Sequence, residues 1–167
     1  TPPAVIDPAY LIDLNTGEKT QLPKSIAGGG YAVSPDGTMV AYVSLDDARM
    51  SQVFIARLDG TDVQQVTQHG AFAPIDWSPD GAAIAYTSGW EEDLFNIFVL
   101  DLRSRQVHQL TNTPAINTAP SYSPDGSQIA FRSNRREGGI YVMPVLGGEE
   151  KLLVPRGQNP RFSSDGK

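Results

Sequence analysis

Four aspartates hold matching places along this chain: Asp36, Asp80, Asp125 and Asp165. Carboxylates gathered at one point serve as general acid and base or hold a divalent cation. Each of these, however, belongs to the same short run. The copies are Ser34-Pro35-Asp36-Gly37, Ser78-Pro79-Asp80-Gly81, Ser123-Pro124-Asp125-Gly126 and the weaker Ser163-Ser164-Asp165-Gly166. Proline pre-sets φ, glycine accepts a positive φ, and the aspartate bonds nearby backbone N–H groups, so the run is a tight turn. Copies on separate turns do not converge, and a structural role is expected for all four aspartates. His69 and His108 are the only histidines, and neither has a partner at ligand spacing. With 0 cysteines, disulfides and thiolate metal sites are excluded. No Gly-x-Ser-x-Gly elbow, P-loop or Gly-x-Gly-x-x-Gly run is present. No catalytic residue, cofactor or metal is therefore expected in this chain.

The remaining charged groups fall in short loops. One loop carries Asp46, Asp47 and Arg49, a second Glu91, Glu92 and Asp93, and a third Arg135 and Arg136. His69 lies in a connection between units. Exposed charge is ordinary on any surface, but these residues are the candidates for contact with a partner. The acidic loops lack the spaced ligand run of a Ca²⁺ site.

The elements that position these groups recur. The turns start at 34, 78, 123 and 163, intervals of 44, 45 and 40. Periods of this size mark repeat architectures. A large apolar residue precedes each turn: Val33, Trp77, Tyr122 and Phe162. After the first three come Val40-Ala41-Tyr42, Ile84-Ala85-Tyr86 and Ile129-Ala130-Phe131. A further strand carries aromatics at 10, 54, 98 and 141, and a closing strand holds Leu22, Val66, Leu110 and Leu153. Asp59-Gly60, Arg103-Ser104 and Gly147-Gly148 are turn signals between the last two strands. No stretch shows helical periodicity with caps. The expected fold is all-β, a β-propeller of four-stranded antiparallel blades. A half blade spans 9–24, blades span 27–69, 70–113 and 114–155, and the next blade begins over 156–167. The in-phase alanines Ala41, Ala85 and Ala130 suit a blade packed on both faces, since alternate residues face opposite sides. Ser164-Asp165-Gly166 sets up a turn into a further strand, so the repeat is expected to continue, to six or more blades. The segment alone is a partial propeller whose open edges invite self-association.

Composition narrows the function. A net charge of -6 and a pI of 4.8 argue against nucleic acid as partner. No apolar run approaches the length of a membrane span, so no membrane insertion is expected.

Two stretches carry a family likeness. Ala73-Pro74, Trp77-Ser78-Pro79-Asp80-Gly81, Ile84-Ala85-Tyr86-Thr87-Ser88, Ile97-Phe98-Val99-Leu100-Asp101 and Gln109-Leu110-Thr111 form one. Ile129-Ala130-Phe131-Arg132-Ser133 with Ile140-Tyr141-Val142-Met143 forms the other. Together they resemble the WD40-like propeller repeat of TolB-like proteins, over nearly the whole chain from residue 9. The same repeat resembles propellers of tricorn-type and prolyl-oligopeptidase-type proteases. The resemblance implies that the loops with Asp46, Asp47, Arg49, Glu91, Glu92, Asp93, Arg135 and Arg136 share a face with the His69 connection. It also implies a non-catalytic scaffold presenting that face to a protein or peptide, a periplasmic or otherwise extracytoplasmic location, and a lipoprotein partner such as the peptidoglycan-associated lipoprotein. The alternative it implies is the substrate-gating propeller of a tricorn- or prolyl-oligopeptidase-type serine peptidase; a propeller hydrolase or lyase with a channel metal is a third reading.

Overall fold

Serine, aspartate and glycine close the same turn four times. The Gly37, Gly81, Gly126 and Gly166 N–H groups each donate to the carbonyl of the turn's first serine at 2.9 Å. The Ser34, Ser78 and Ser123 hydroxyls donate to Asp36, Asp80 and Asp125 at 2.6, 2.5 and 2.6 Å. The same hydroxyls accept the N–H of Met39, Ala83 and Gln128 at 2.9, 2.8 and 2.9 Å. Each aspartate also accepts the N–H two residues on, at 3.0 Å. These bonds hold all three carboxyls below the usual carboxylate range, with the serine hydroxyl as the largest cause. The turn glycines lie at φ between +70° and +78°, a region closed to most side chains.

The computed structural model describes residues 9–24, 26, 28–89 and 94–166. Among them there is no helix. Strands β1 (Tyr10–Ile12) and β2 (Lys19–Gln21) pair as a hairpin. The first four-stranded sheet has β3 (Gly29–Val33), β4 (Met39–Leu45), β5 (Ser51–Arg57) and β6 (Gln64–Gln65). The second has β7 (Phe72–Trp77), β8 (Ala83–Ser88), β9 (Asn96–Asp101) and β10 (Val107–Gln109). The third has β11 (Asn117–Tyr122), β12 (Gln128–Ser133), β13 (Gly139–Pro144) and β14 (Lys151–Pro155). Within each sheet every strand pair is antiparallel and joins sequence neighbours. These are four-stranded propeller blades stacked side by side.

Burial follows the two-sided pattern that the alanines require. On β8, Ile84 and Tyr86 join a cluster with Ala41, Val53 and Ile55 of the first blade, while Ala85 joins Tyr122, Ile129 and Phe131 of the third. Val40 and Tyr42 turn instead toward Leu22 and Leu11 of the hairpin. Cross-strand rings stack within each blade: Tyr42 on Phe54 at 5.8 Å, Tyr86 on Phe98 at 5.8 Å and Phe131 on Tyr141 at 6.0 Å. Such pairs add to the area they bury.

The near-copies Gln65-Val66-Thr67 and Gln109-Leu110-Thr111 are clasps. Thr67 Oγ1 accepts the Val53 N–H at 2.9 Å and donates to Gln52 Oε1 at 2.8 Å. Thr111 Oγ1 accepts the Ile97 N–H at 2.9 Å and donates to Asn96 Oδ1 at 2.9 Å. The third blade has Val154 at this place, without a hydroxyl. There the register shifts between Ile140 and Tyr141, and all five residues of β14 are exposed.

The first strands β3, β7 and β11 pack beside one another, each with a register shift near its middle. The approach is close: a Cβ on Gly30 would meet the Ala73 Cβ at 2.2 Å. The Trp77 indole N–H donates to the Ala32 carbonyl at 2.9 Å, tying the first two blades.

Candidate functional site

Opposite the four turns, the connection between β6 and β7 meets the hairpin loop between β4 and β5. Asp46 opens that hairpin loop. Its Oδ1 accepts the Met50 N–H at 2.9 Å and its Oδ2 the Gln52 amide at 3.2 Å. Asp47 and Arg49 follow in solvent, Arg49 at φ +62°. The β6–β7 connection is pinned from the next blade, where the Ser88 hydroxyl meets the Gly70 carbonyl at 2.8 Å. That leaves the His69 side chain exposed. Asp46 and His69, named from separate loops, line one cleft of about 690 Å³ with Gln65, Thr67, Tyr86 and Arg105. Burial pushes the Tyr86 phenol up to about 12. The Arg105 guanidinium is oriented by Gln64 Oε1 at 2.8 Å. The cleft thus offers an anion, a cation and an imidazole above an aromatic wall, a set suited to binding a polar chain.

The other named residues do not line it. Glu91, Glu92 and Asp93 lie outside the described residues. Arg136 is exposed at φ +53°. Arg135 departs from the expectation of a solvent-facing loop charge. Its guanidinium stacks 4.2 Å above the Tyr141 ring, donates to Ser133 Oγ at 2.9 Å and pairs with Glu150. A planar cation that reaches an aromatic face and a carboxylate together is held inward. Arg135 therefore clamps its own blade. The expected basic loop reduces to Arg136 among the described residues.

A residue that sequence reasoning missed sits on the second blade's first strand. The Asp76 carboxylate accepts the Tyr122 N–H of the third blade at 2.8 Å and lies 3.7 Å from Arg161. Burial is the largest influence on it and raises its pKa, against the hydrogen bond from Tyr122 and the charge of Arg161. The matching positions in the other repeats hold Ala32, Ser121 and Arg161. The repeat pattern therefore gave no signal for a carboxylate there.

Among the described residues, no three histidine, aspartate or glutamate side chains are placed to hold a metal ion. No helix among them is long and apolar enough to cross a membrane.

A family profile described as the TolB beta propeller domain matches residues 30–167. No curated protein matches the chain. Among solved structures, TolB from Acinetobacter baumannii is 22% identical with a TM-score of 0.78, over 94% of this chain and 40% of that one. A putative TolB from Agrobacterium tumefaciens is 24% identical with a TM-score of 0.76, over 89% of this chain and 55% of that one. The β-propeller domain of the Trilobed protease from Pyrococcus furiosus is 14% identical with a TM-score of 0.61, over 89% and 49%. At these identities the likeness is one of fold, and the chain spans only 40% to 55% of the two TolB structures.

Proposed function

Because this chain belongs to the TolB beta propeller domain family, we propose that it is a non-catalytic binding scaffold, working outside the cytoplasm, whose loop end receives a protein or peptide. The observation that supports this reading is the cleft that joins Asp46 and His69 of the first blade to Tyr86 and Arg105 of the second. Rigid strands fix the walls, the exposed His69 lines it, and Asp47 and Arg49 are exposed on the loop that Asp46 opens. Arg136 extends the proposed surface along the same end. Loops carried on a rigid scaffold are where binding residues gather. Polar groups of both signs select a partner by complementary charge.

A displayed library of random peptides, selected on the folded chain, tests this. Asp47→Lys and His69→Glu alter exposed side chains and leave the Asp46 turn intact. Selected peptides are expected to lose affinity roughly fivefold or more on each variant, with a loss that shrinks as salt rises. Peptides that bind both variants as tightly as the parent chain refute the loop-end assignment.

A further inference from the structure

At the turn-bearing end, successive repeats form three clefts of one design. The cleft between the first and second blades is about 390 Å³ and is lined by Met39 and Trp77. The next, between the second and third blades, is about 520 Å³ and is lined by Ala83 and Tyr122. The last, between the third blade and the fourth turn, is about 410 Å³ and is lined by Gln128 and Phe162. Ala83 stands where the others have Met39 or Gln128, so the middle cleft lacks the long side chain that fills its neighbours.

The aromatic residues differ in a second way. The Trp77 N–H is bonded to the Ala32 carbonyl, and Phe162 has no polar side-chain atom. Tyr122 is 6% exposed, and its hydroxyl meets no partner. A buried hydroxyl without a partner destabilises the fold, and phenylalanine, used one repeat later, would avoid that. Around Tyr122 the cleft walls carry the carboxylates of Asp80, Asp101 and Asp125, and no lining residue is cationic. Asp80 and Asp101 act on one another as like charges. Burial, then the charges of Asp76 and Asp80, push the Tyr122 phenol up, which keeps the hydroxyl neutral. Pro79, Val99 and Val145 supply apolar wall. Arg103, on the same turn as Asp101, is exposed and does not line the cleft.

We propose that the cleft between the second and third blades takes the side chain of a lysine or arginine presented by a polypeptide partner. The aliphatic stem lies against Ala83, Val99 and Val145. The cationic head sits among Asp80, Asp101 and Asp125, and a shift of the Tyr122 ring that bares its buried oxygen lets the head supply the donor that oxygen lacks. Long basic side chains suit such a place because the stem buries well while the head keeps polar partners. An anionic side chain would be repelled, and a neutral one would gain no attraction from the carboxylates. This site lies between the second and third blades, whereas the loop cleft lies between the first and second, and it does not rest on that reading.

Amide chemical shifts of the isotope-labelled full chain test it. The probes are blocked glycine tripeptides with lysine, arginine or norleucine at the centre. Lysine and arginine peptides are expected to shift amides of residues 78–83, 101 and 122–126, with norleucine at least tenfold weaker. Tyr122→Phe is expected to fold, to melt no lower than the parent, and to bind the lysine peptide about tenfold more weakly, as loss of a hydrogen bond to a charged group requires. Asp101→Asn should flatten the salt dependence, and Asp47→Lys should leave binding unchanged. Equal shifts from norleucine, shifts confined to other residues, or full affinity in Tyr122→Phe overturn the proposal. Tighter binding of free spermidine at these same amides overturns the polypeptide assignment.

Discussion

Replacing Thr111 with valine removes one hydroxyl while nearly keeping the shape of the side chain. Thr111 is 0% exposed, and so is Ile97, whose N–H it accepts at 2.9 Å. Valine leaves that N–H buried without an acceptor. It also takes one donor from Asn96 Oδ1, which keeps the Asn117 amide at 3.2 Å. A stranded buried donor costs about 1–3 kcal/mol, and the added methyl offsets part of this. The expected net loss is about 2 kcal/mol, or about 4–8 °C in Tm for a chain of this size. Thr111→Ser keeps both bonds and deletes one methyl, so it should cost about 1 kcal/mol. Urea denaturation followed by tryptophan fluorescence separates the two variants. A valine variant as stable as the parent, or more stable than the serine variant, would refute the clasp and leave Thr111 as mere packing.

Gly81→Val should destabilise more than Gly81→Asn in the same assay, because φ is +71° and the nearest atom to an added Cβ is Pro35 Cδ at 3.8 Å; equal losses would show that crowding, not backbone conformation, sets the cost. The Ser123 hydroxyl, then the Ser127 N–H and hydroxyl, hold Asp125 down to about 2. Its folded pKa lies below the unfolded one, so its stabilisation is complete above about pH 4 and is lost as pH falls through about 2. Asp125→Asn should therefore flatten acid unfolding below about pH 4, and a carboxyl NMR titration should find Asp76 protonating before Asp36, Asp80 and Asp125. Exposed Leu152, Leu153 and Val154 on the outer strand β14 predict association that grows with concentration in light scattering and falls in Leu153→Lys; a parent chain that stays monomeric at all concentrations contradicts it.

The blade architecture was legible because each of its signals occurs at least three times in phase. The turn serines, the alanines at 41, 85 and 130 and the stacked aromatics all recur, and in the structure each does one job in each blade. What occurs once was not legible. Asp76 has Ala32 and Ser121 at its matching positions, so only the neighbouring blade reveals why a carboxylate stands there. Arg135 reads as a loop charge because the rings of Phe131 and Tyr141 come from two different strands and meet it only after folding. The shifted register of β14 has a sequence correlate, Val154 in place of threonine, but its meaning depends on knowing what Thr67 and Thr111 hold. Asp46 and His69 were named from separate loops; nothing in the residue order said that they border one cleft.

The bonds between the first strands of successive blades span nearly the same stretch of chain, while bonds at the connections are shorter, Asn117 to Asn96 crossing 21 positions. Trp77 to Ala32 crosses 45 positions and Asp76 to Tyr122 crosses 46; the Arg161–Asp76 pair, at 3.7 Å, is a looser tie that skips a blade. The array therefore behaves much as a one-dimensional chain of coupled elements, each with its own intrinsic stability and a coupling to its neighbours. Each new interface closes a loop of similar length, so growth by another repeat need not slow assembly. Opening should begin at the ends, where a blade has one neighbour, and work inward. Amide protons of β8 and β9, flanked on both sides, should be the last to exchange with solvent.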